Sequence, residues 1–294
     1  MTATANRIVA VTGAAGFVGR ALCLAFRRHG FVVRALVRDP DVADLGGGIE
    51  RAHCVLPDGI DAGALAGVDV LVHAAWATRE IDAERARRVN EDGTRRLLEV
   101  ARGAGVASRV LISSIAARAD APSYYGRSKW AAERLFDGPA DLVVRPGLVL
   151  GAGGHGLFQQ LLGAAERLHV VPLFAGGRQP LQTLHIDDLS SAVVAALERG
   201  ITGTVAVAEP EPIAMKDFLR AMVRRRGIRC LFVPLPFAPA LAALRAAERV
   251  GLVLPLRSES LLGLAGMQRV AVDAELARLG VTVRPALESL HALL

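Results

Sequence analysis

Lysine is almost missing from this chain: of 35 basic residues only two, Lys129 and Lys216, are lysines, so basic charge is carried by arginine. Tyrosine is as scarce, with two in 294 residues, and aromatics make up 4% of a sequence that is 52% hydrophobic. A core of that composition is built from Ala, Val and Leu, which suits buried parallel strands covered by helices. The three cysteines, Cys23, Cys54 and Cys230, form no C-x-x-C pair. Their spacing argues against a zinc site or a disulfide framework, implies no metal, and fits a reducing compartment. No apolar run reaches the ~18 to 20 residues of a membrane span. Met1 to Asn6 lacks a charged n-region, an apolar h-region and a cleavage site, so the expected location is the cytoplasm. The net charge of +6 is spread along the chain, and its densest cluster, Arg224-Arg225-Arg226, sits at an expected helix end. That cluster reads as a solvated face, with no nucleic-acid site implied.

Against this scarcity, Ser123-Tyr124-Tyr125-Gly126-Arg127-Ser128-Lys129 gathers both tyrosines and one of the two lysines. On a helix, Tyr125 and Lys129 are four apart and share a face. An ammonium beside a phenol favours the phenolate, and so brings an acid of pKa about 10 nearer the pH at which it can trade protons.

Upstream, Arg7 to Thr12 is an apolar run ending in Gly13-Ala14-Ala15-Gly16-Phe17-Val18-Gly19, after which Ala21, Leu22, Leu24 and Ala25 recur at helical spacing. Strand, glycine turn and helix N-terminus together make a phosphate cradle, here spaced G-x-x-G-x-x-G. Gly30 ends the helix and Phe31 to Val37 is the second strand. The residue after that strand selects the cofactor, an acid for the ribose hydroxyl of NAD or an arginine for the 2′-phosphate of NADP. Arg38 stands there and favours NADP; NAD with Asp39 is the competing reading, although Asp39-Pro40 resembles the start of a turn. Val68 to Ala75 is a third buried strand whose small residues Ala74 and Ala75 let a cofactor lie against the backbone. Asn90 and Gly93, poor helix formers, interrupt a helical stretch. Arg109 to Ser114 is a further strand, ending in Ser113-Ser114 at the edge where open α/β sheets bind ligands.

With Thr12 to Gly19, His73-Ala74-Ala75, Val89 to Thr94, Ser113-Ser114, Tyr125 to Lys129 with Glu133, Arg145-Pro146-Gly147 and His185 to Leu189, the chain resembles an extended short-chain dehydrogenase/reductase, the group also called NAD-dependent epimerase/dehydratase. The resemblance implies a doubly wound Rossmann-type parallel sheet with a smaller C-terminal substrate lobe. It implies Tyr125 as general acid/base, Lys129 as its ribose-binding partner, Ser114 as the carbonyl-polarising hydroxyl with Ser113 as the alternative, and Asn90 as a support. Gly13, Gly16, Phe17, Val18, Gly19, Arg38, Ala74, Ala75, Tyr125 and Lys129 form the expected cofactor site. The interval from Ser114 to Tyr125 is closer to compact members of the family than to sugar-nucleotide epimerases. Asp58 is the only acid near the place where the family often holds the adenine.

Residues 1–150, with part of 180–208, are expected to form the dinucleotide-binding domain and 151–294 the substrate lobe. In the second part, Leu157 to Leu168 reads as a helix, Asp187 as the N-cap of a helix running through Arg199, Thr204 to Ala208 as a strand, and Pro212 to Arg226 as a helix. Between Cys230 and Met267 the chain is apolar and proline-punctuated. That stretch admits three readings: ordinary core, an apolar substrate pocket, or a surface that docks on a partner or a membrane periphery. The expected function is NADP-dependent hydride transfer between the nicotinamide and a carbonyl/alcohol pair of a small molecule, by a monomer or homodimer. A sugar-nucleotide epimerase or dehydratase with bound NAD, or a non-catalytic NADP-binding subunit, are the alternatives.

Overall fold

A computed structural model describes residues 7–41, 45–78, 80, 82–153, 157–252, 254 and 256–290. Met1–Asn6, Gly154 and Val253, each part of an expectation above, lie outside the described residues. The first half alternates β1 (Ile8–Thr12), α1 (Phe17–Arg28), β2 (Val32–Val37), β3 (Glu50–Val55), β4 (Gly59–Ile60) and β5 (Val70–His73). It continues with α2 (Ala83–Arg87), a π-helical turn (Arg88–Asp92), α3 (Gly93–Gly103), β6 (Ser108–Ile112), α4 (Tyr124–Glu133) and β7 (Leu142–Pro146). Then follow β8 (Leu148–Leu150), α5 (Leu157–Leu168), β9 (Val170–Phe174), β10 (Pro180–Leu181), β11 (Thr183–His185), α6 (Ile186–Glu198) and β12 (Gly203–Val207). The chain ends through β13 (Ile213–Ala214), α7 (Met215–Arg225), β14 (Leu231–Leu235), α8 (Phe237–Arg249), α9 (Ser258–Ala265), α10 (Asp273–Leu279) and α11 (Ala286–Ser289).

Eight strands form one sheet in the order β12-β7-β6-β5-β1-β2-β3-β4, parallel throughout except for β3 with β4. Successive side chains of a strand point to opposite faces, and here both faces are covered. Val9 and Val11 enter one hydrophobic cluster with α1 and α6, while Ala10 between them enters the cluster under α3. Val70 and Val72 likewise face one way and Leu71 the other. This is why the strands read as continuous apolar runs. Leu22 and Phe26 of α1 are fully buried, each stabilising the sheet-helix contact by roughly 1.5–3 kcal/mol. The chain leaves β1 toward β2 on one side and returns to β5 on the other, so the crevice between the carboxyl ends of β1 and β5 is the switch point at which such sheets bind ligands. A second cluster gathers Leu161, Leu162, Phe218, Leu219, Met222 and Leu261 from α5, α7 and α9, away from the large sheet.

Two helix starts differ from expectation. His185, extended at the end of β11, caps α6 by accepting from the Asp187 backbone N–H at Nδ1 (3.1 Å), so Asp187 lies in the first turn, where the helix dipole favours an acid. Ile213–Ala214 pairs antiparallel with Pro180–Leu181, which delays α7 to Met215 although Pro212 could have opened a helix. The apolar 230–267 stretch becomes β14, α8 and α9, and no helix among the described residues is long and apolar enough to cross a membrane.

Candidate active site

β1 and β5 end side by side, Thr12 opposite His73, and their side chains start a directed relay. Thr12 Oγ1 accepts from the backbone N–H groups of Ala74 and Ala75 (3.2 Å each), which leaves its own hydrogen for His73 Nδ1 at 2.8 Å. The proton of the imidazole therefore belongs on Nε2, which meets Thr94 Oγ1 at 3.0 Å, and the Thr94 hydroxyl donates to the backbone carbonyl of Asn90. Burial first, and the charge of Lys129 second, push His73 down to about 3, so it stays neutral and the direction of the relay is fixed.

Asn90 lies in the π-helical turn between α2 and α3, the kind of bulge that turns a helix to expose backbone and side chain toward a site. This is what its poor helix propensity allowed. Its side-chain oxygen accepts from the Ala77 backbone N–H (2.7 Å), tying the turn to the segment after β5. Tyr124 donates to Glu91 of the same turn (3.2 Å), and burial followed by the Glu91 charge pushes its phenol up to about 12.

Tyr125, one residue on, faces Ser114 instead. Burial raises the Tyr125 phenol and the Ser114 side chain opposes that rise, while the Ser114 hydroxyl accepts from the Ala116 backbone N–H (3.1 Å). Ser113 points elsewhere: its hydroxyl donates to Glu133 (2.5 Å), which Arg145 also grips through two bonds of 2.8 and 2.5 Å. Ser113 is thus committed to a buried carboxylate, whereas Ser114 is not. Lys129 is buried on the same helix, donates to the Ile112 carbonyl at the end of β6 (2.7 Å), and lies 3.6 Å from the centre of the Trp76 ring. Burial brings it down to about 7, with Glu133 opposing. The expected lowering of the Tyr125 phenol by Lys129 is not what the free chain shows. Desolvation raises the phenol, and the group resisting that rise is Ser114.

Sequence reasoning did not single out Trp76, Ile112 or Glu259. Trp76 immediately follows Ala74-Ala75 and is one of two tryptophans in the chain, which was the available signal. Glu259 of α9 accepts from the Tyr124 backbone N–H (2.7 Å), so the start of the Tyr-Lys helix is held by a residue 135 positions away. No local pattern reports that contact.

On the opposite rim, Gly13, Gly16, Phe17, Val18 and Gly19 make the turn into α1. A Cβ on Gly13 would stand 2.8 Å from the Ala75 backbone, and one on Gly19 would stand 2.2 Å from the Gly13 carbonyl, so neither position accepts a side chain. No side chain caps α1 and no acid lies in its first turn. Arg38, just past β2, is exposed and has no partner among the described residues. Arg34 is committed to Glu50 (2.9 Å) and to the carbonyls of Ala64 and Ala66, and Asp39 accepts from the Asp41 backbone N–H (3.1 Å) in a local turn. Asp58, the acid considered for adenine, pairs with Arg88 at 2.5 Å.

Residues 9–208 match the model of the "NAD dependent epimerase/dehydratase family". A protein of Caulobacter vibrioides named ceramide reductase is 32% identical over 80% of this chain and 76% of its own length. A protein of Stigmatella aurantiaca named 4-hydroxy-2-methyl-3-oxo-4-farnesyl-3,4-dihydroquinoline-1-oxide ketoreductase is 32% identical over 81% of this chain and 79% of its own. Among solved structures, that of gox2253 superposes with a TM-score of 0.75 at 26% identity, covering 98% of this chain and 97% of the other.

Proposed function

Because the chain belongs to the NAD dependent epimerase/dehydratase family and is an NAD(P)-dependent enzyme of the short-chain dehydrogenase/reductase type, we propose that it is an NADP-dependent reductase acting on the carbonyl of an apolar, lipid-like substrate. The observation that carries this reading is buried Lys129, four residues after Tyr125 on α4 and held by the Ile112 carbonyl at the carboxyl edge of the sheet, where Ser114 follows β6.

The residues present fit the dinucleotide. Gly13, Gly16 and Gly19 leave room for a close approach, and the uncapped start of α1, with Phe17 and Val18 in its first turn, offers N–H groups to a diphosphate. Ala74 and Ala75 would border the cofactor, Arg38 would take the 2′-phosphate, and Tyr125 and Lys129 would hold the nicotinamide ribose. Asn90 Nδ2 and Trp76 Nε1 are buried donors without a partner among the described residues, and are free to meet a polar ligand. The cofactor supplies or accepts the hydride when bound.

This chain's own residues handle the proton and the charge. Ser114 donates a hydrogen bond to the carbonyl oxygen and strengthens it as negative charge develops there. Tyr125, kept protonated at neutral pH by burial, gives its proton to that oxygen. Lys129 is drawn into the site by the Ile112 carbonyl and the Trp76 face, from where its ammonium steadies the phenolate left behind. Asn90, fixed by the Thr12–His73–Thr94 relay, supports this arrangement through its backbone and acts as a positioning residue. In this reading residues 1–150, with part of 180–208, hold the cofactor and 151–294 present the substrate. A ceramide in one relative's name and a farnesyl group in the other's support an apolar substrate.

The test is cofactor oxidation with ketones of increasing alkyl length. NADPH should be consumed in preference to NADH, and KM should fall as the chain lengthens. Tightly held NAD that survives dialysis, with sugar-nucleotide epimers interconverted without added cofactor, would establish the epimerase reading instead. Cofactor binding without turnover of any ketone would favour a non-catalytic subunit.

A further inference from the structure

The second hydrophobic cluster carries an exposed strip that the active site does not use. Leu168 at the end of α5, Val170 at the start of β9 and Leu231 at the start of β14 are 66%, 37% and 71% exposed. They are neighbours: Val170 pairs with Leu231, and the Leu231 backbone N–H donates to the His169 carbonyl at 2.8 Å. Five exposed arginines lie in the segments that adjoin them. Arg167 precedes Leu168; Arg224, Arg225 and Arg226 end α7; Arg229 follows the left-handed turn at Gly227 and is joined to the strip through its carbonyl, which meets His169 Nδ1 at 3.0 Å. None of the five guanidiniums has an ion-pair or hydrogen-bond partner among the described residues. Glu166 is the one acid within these segments.

The helix dipole does not account for so much charge. Two helix C-termini, those of α5 and α7, meet here and together amount to about one negative charge, against five arginines and one glutamate. The surface is left strongly positive around exposed aliphatic side chains. Nucleic acid would match the charge, but single strands call for stacking aromatics, and the exposed side chains here are Leu and Val. Anionic lipid matches both features, since phosphate headgroups take the guanidiniums while the aliphatic tips enter the acyl boundary.

We propose that the strip formed by Leu168, Val170 and Leu231, with the exposed arginines of the segments adjoining it, docks on the surface of an anionic phospholipid bilayer. The proposal stands apart from the reading of the active site, although α9, in the same cluster, touches the helix that carries Tyr125 and Lys129.

Flotation of the full chain with vesicles tests it. Vesicles of phosphatidylglycerol mixed with phosphatidylcholine should carry the protein, vesicles of phosphatidylcholine alone should not, and salt should release it as the screening length shrinks from about 8 Å to about 3 Å. Binding should fall roughly fivefold for each arginine removed, so the triple change Arg224→Ser, Arg225→Ser, Arg226→Ser should weaken it about a hundredfold. Leu231→Ser should weaken it about tenfold, and replacing the same three arginines by lysine should retain it. NADPH affinity, measured in parallel, should match the parent in every variant and reports on folding. Equal binding to both kinds of vesicle, or binding to neither, overturns the proposal. So does binding to duplex or single-stranded DNA that the arginine changes abolish and Leu231→Ser leaves intact.

Discussion

At the carboxyl edge of the large sheet Lys129, His73, Ser113 and Glu133 are buried, and each has a protein partner, whereas in the segments adjoining Leu168, Val170 and Leu231 five arginines are exposed and have none among the described residues. An ionisable group taken out of water loses several kcal/mol of hydration, which only close partners offset. Such groups collected at one rim of a fold are held for chemistry, and disturbing them should change rates, pKa values and stability together. Exposed guanidiniums lose little on folding. Their removal should leave the fold and the chemistry alone and alter only attraction to a charged surface.

The sharpest way to break this contrast is Tyr125→Phe. Loss of the proton donor should lower turnover of a long-chain ketone by about 10²–10⁴-fold, with NADPH affinity, followed by fluorescence titration, within a few-fold of the parent. Near-normal turnover would remove Tyr125 from the mechanism. Ser114→Ala follows, with turnover expected to fall about 10²–10³-fold. Because Ser114 resists the rise of the phenol, the same variant should also move the alkaline limb of the reductive pH profile upward, a shift that Ser113→Ala should not reproduce.

Arg38→Ala should weaken NADPH by roughly one to two powers of ten and leave NADH nearly unchanged, since charge-assisted bonds are each worth about 1.5–3 kcal/mol and 1.4 kcal/mol is a decade. Equal weakening of both cofactors in paired titrations would make Arg38 an ordinary solvated arginine. The smallest effect is on stability. Burial lowers Lys129 from 10.5 to about 7, so between those values the unfolded chain binds more protons than the folded one and stability rises with pH. The penalty is full below pH 7 and gone above 10.5. Denaturant melts at pH 7 and pH 9 should show less of this rise in Lys129→Met than in the parent, whereas removing an exposed arginine such as Arg229 should leave the rise as it is.

Much of the first region was legible because its signals are local. Runs such as Arg7 to Thr12 and Arg109 to Ser114 are apolar on both faces, and the glycine turn and the Tyr-x-x-x-Lys pair each lie within one element. The departures come from contacts between distant segments. His185 displaces Asp187 as the cap of α6 because β11 delivers its ring there, and α7 starts late because Ile213–Ala214 pairs with β10. The partners of Lys129 come from β6 and from the loop after β5, and no spacing within the motif points to them. Scarcity guided the reading of the tyrosines. Tryptophan is equally scarce, and one of the two, Trp76, stands beside the lysine. The Arg224 cluster was visible in the sequence, but its pairing with exposed aliphatics needed the β9–β14 register.

The central claim is that Tyr125, Ser114 and Lys129 serve a reduction in which hydride passes to a substrate carbonyl. Incubating the enzyme and a long-chain ketone with NADPH carrying deuterium at both hydrogens of the nicotinamide C4 position tests it most directly, with the product read by mass spectrometry and NMR. The account predicts one deuterium on the carbinol carbon per NADPH consumed, and no product from Tyr125→Phe. A product without deuterium, or isomerised substrate with the cofactor unconsumed, would contradict it.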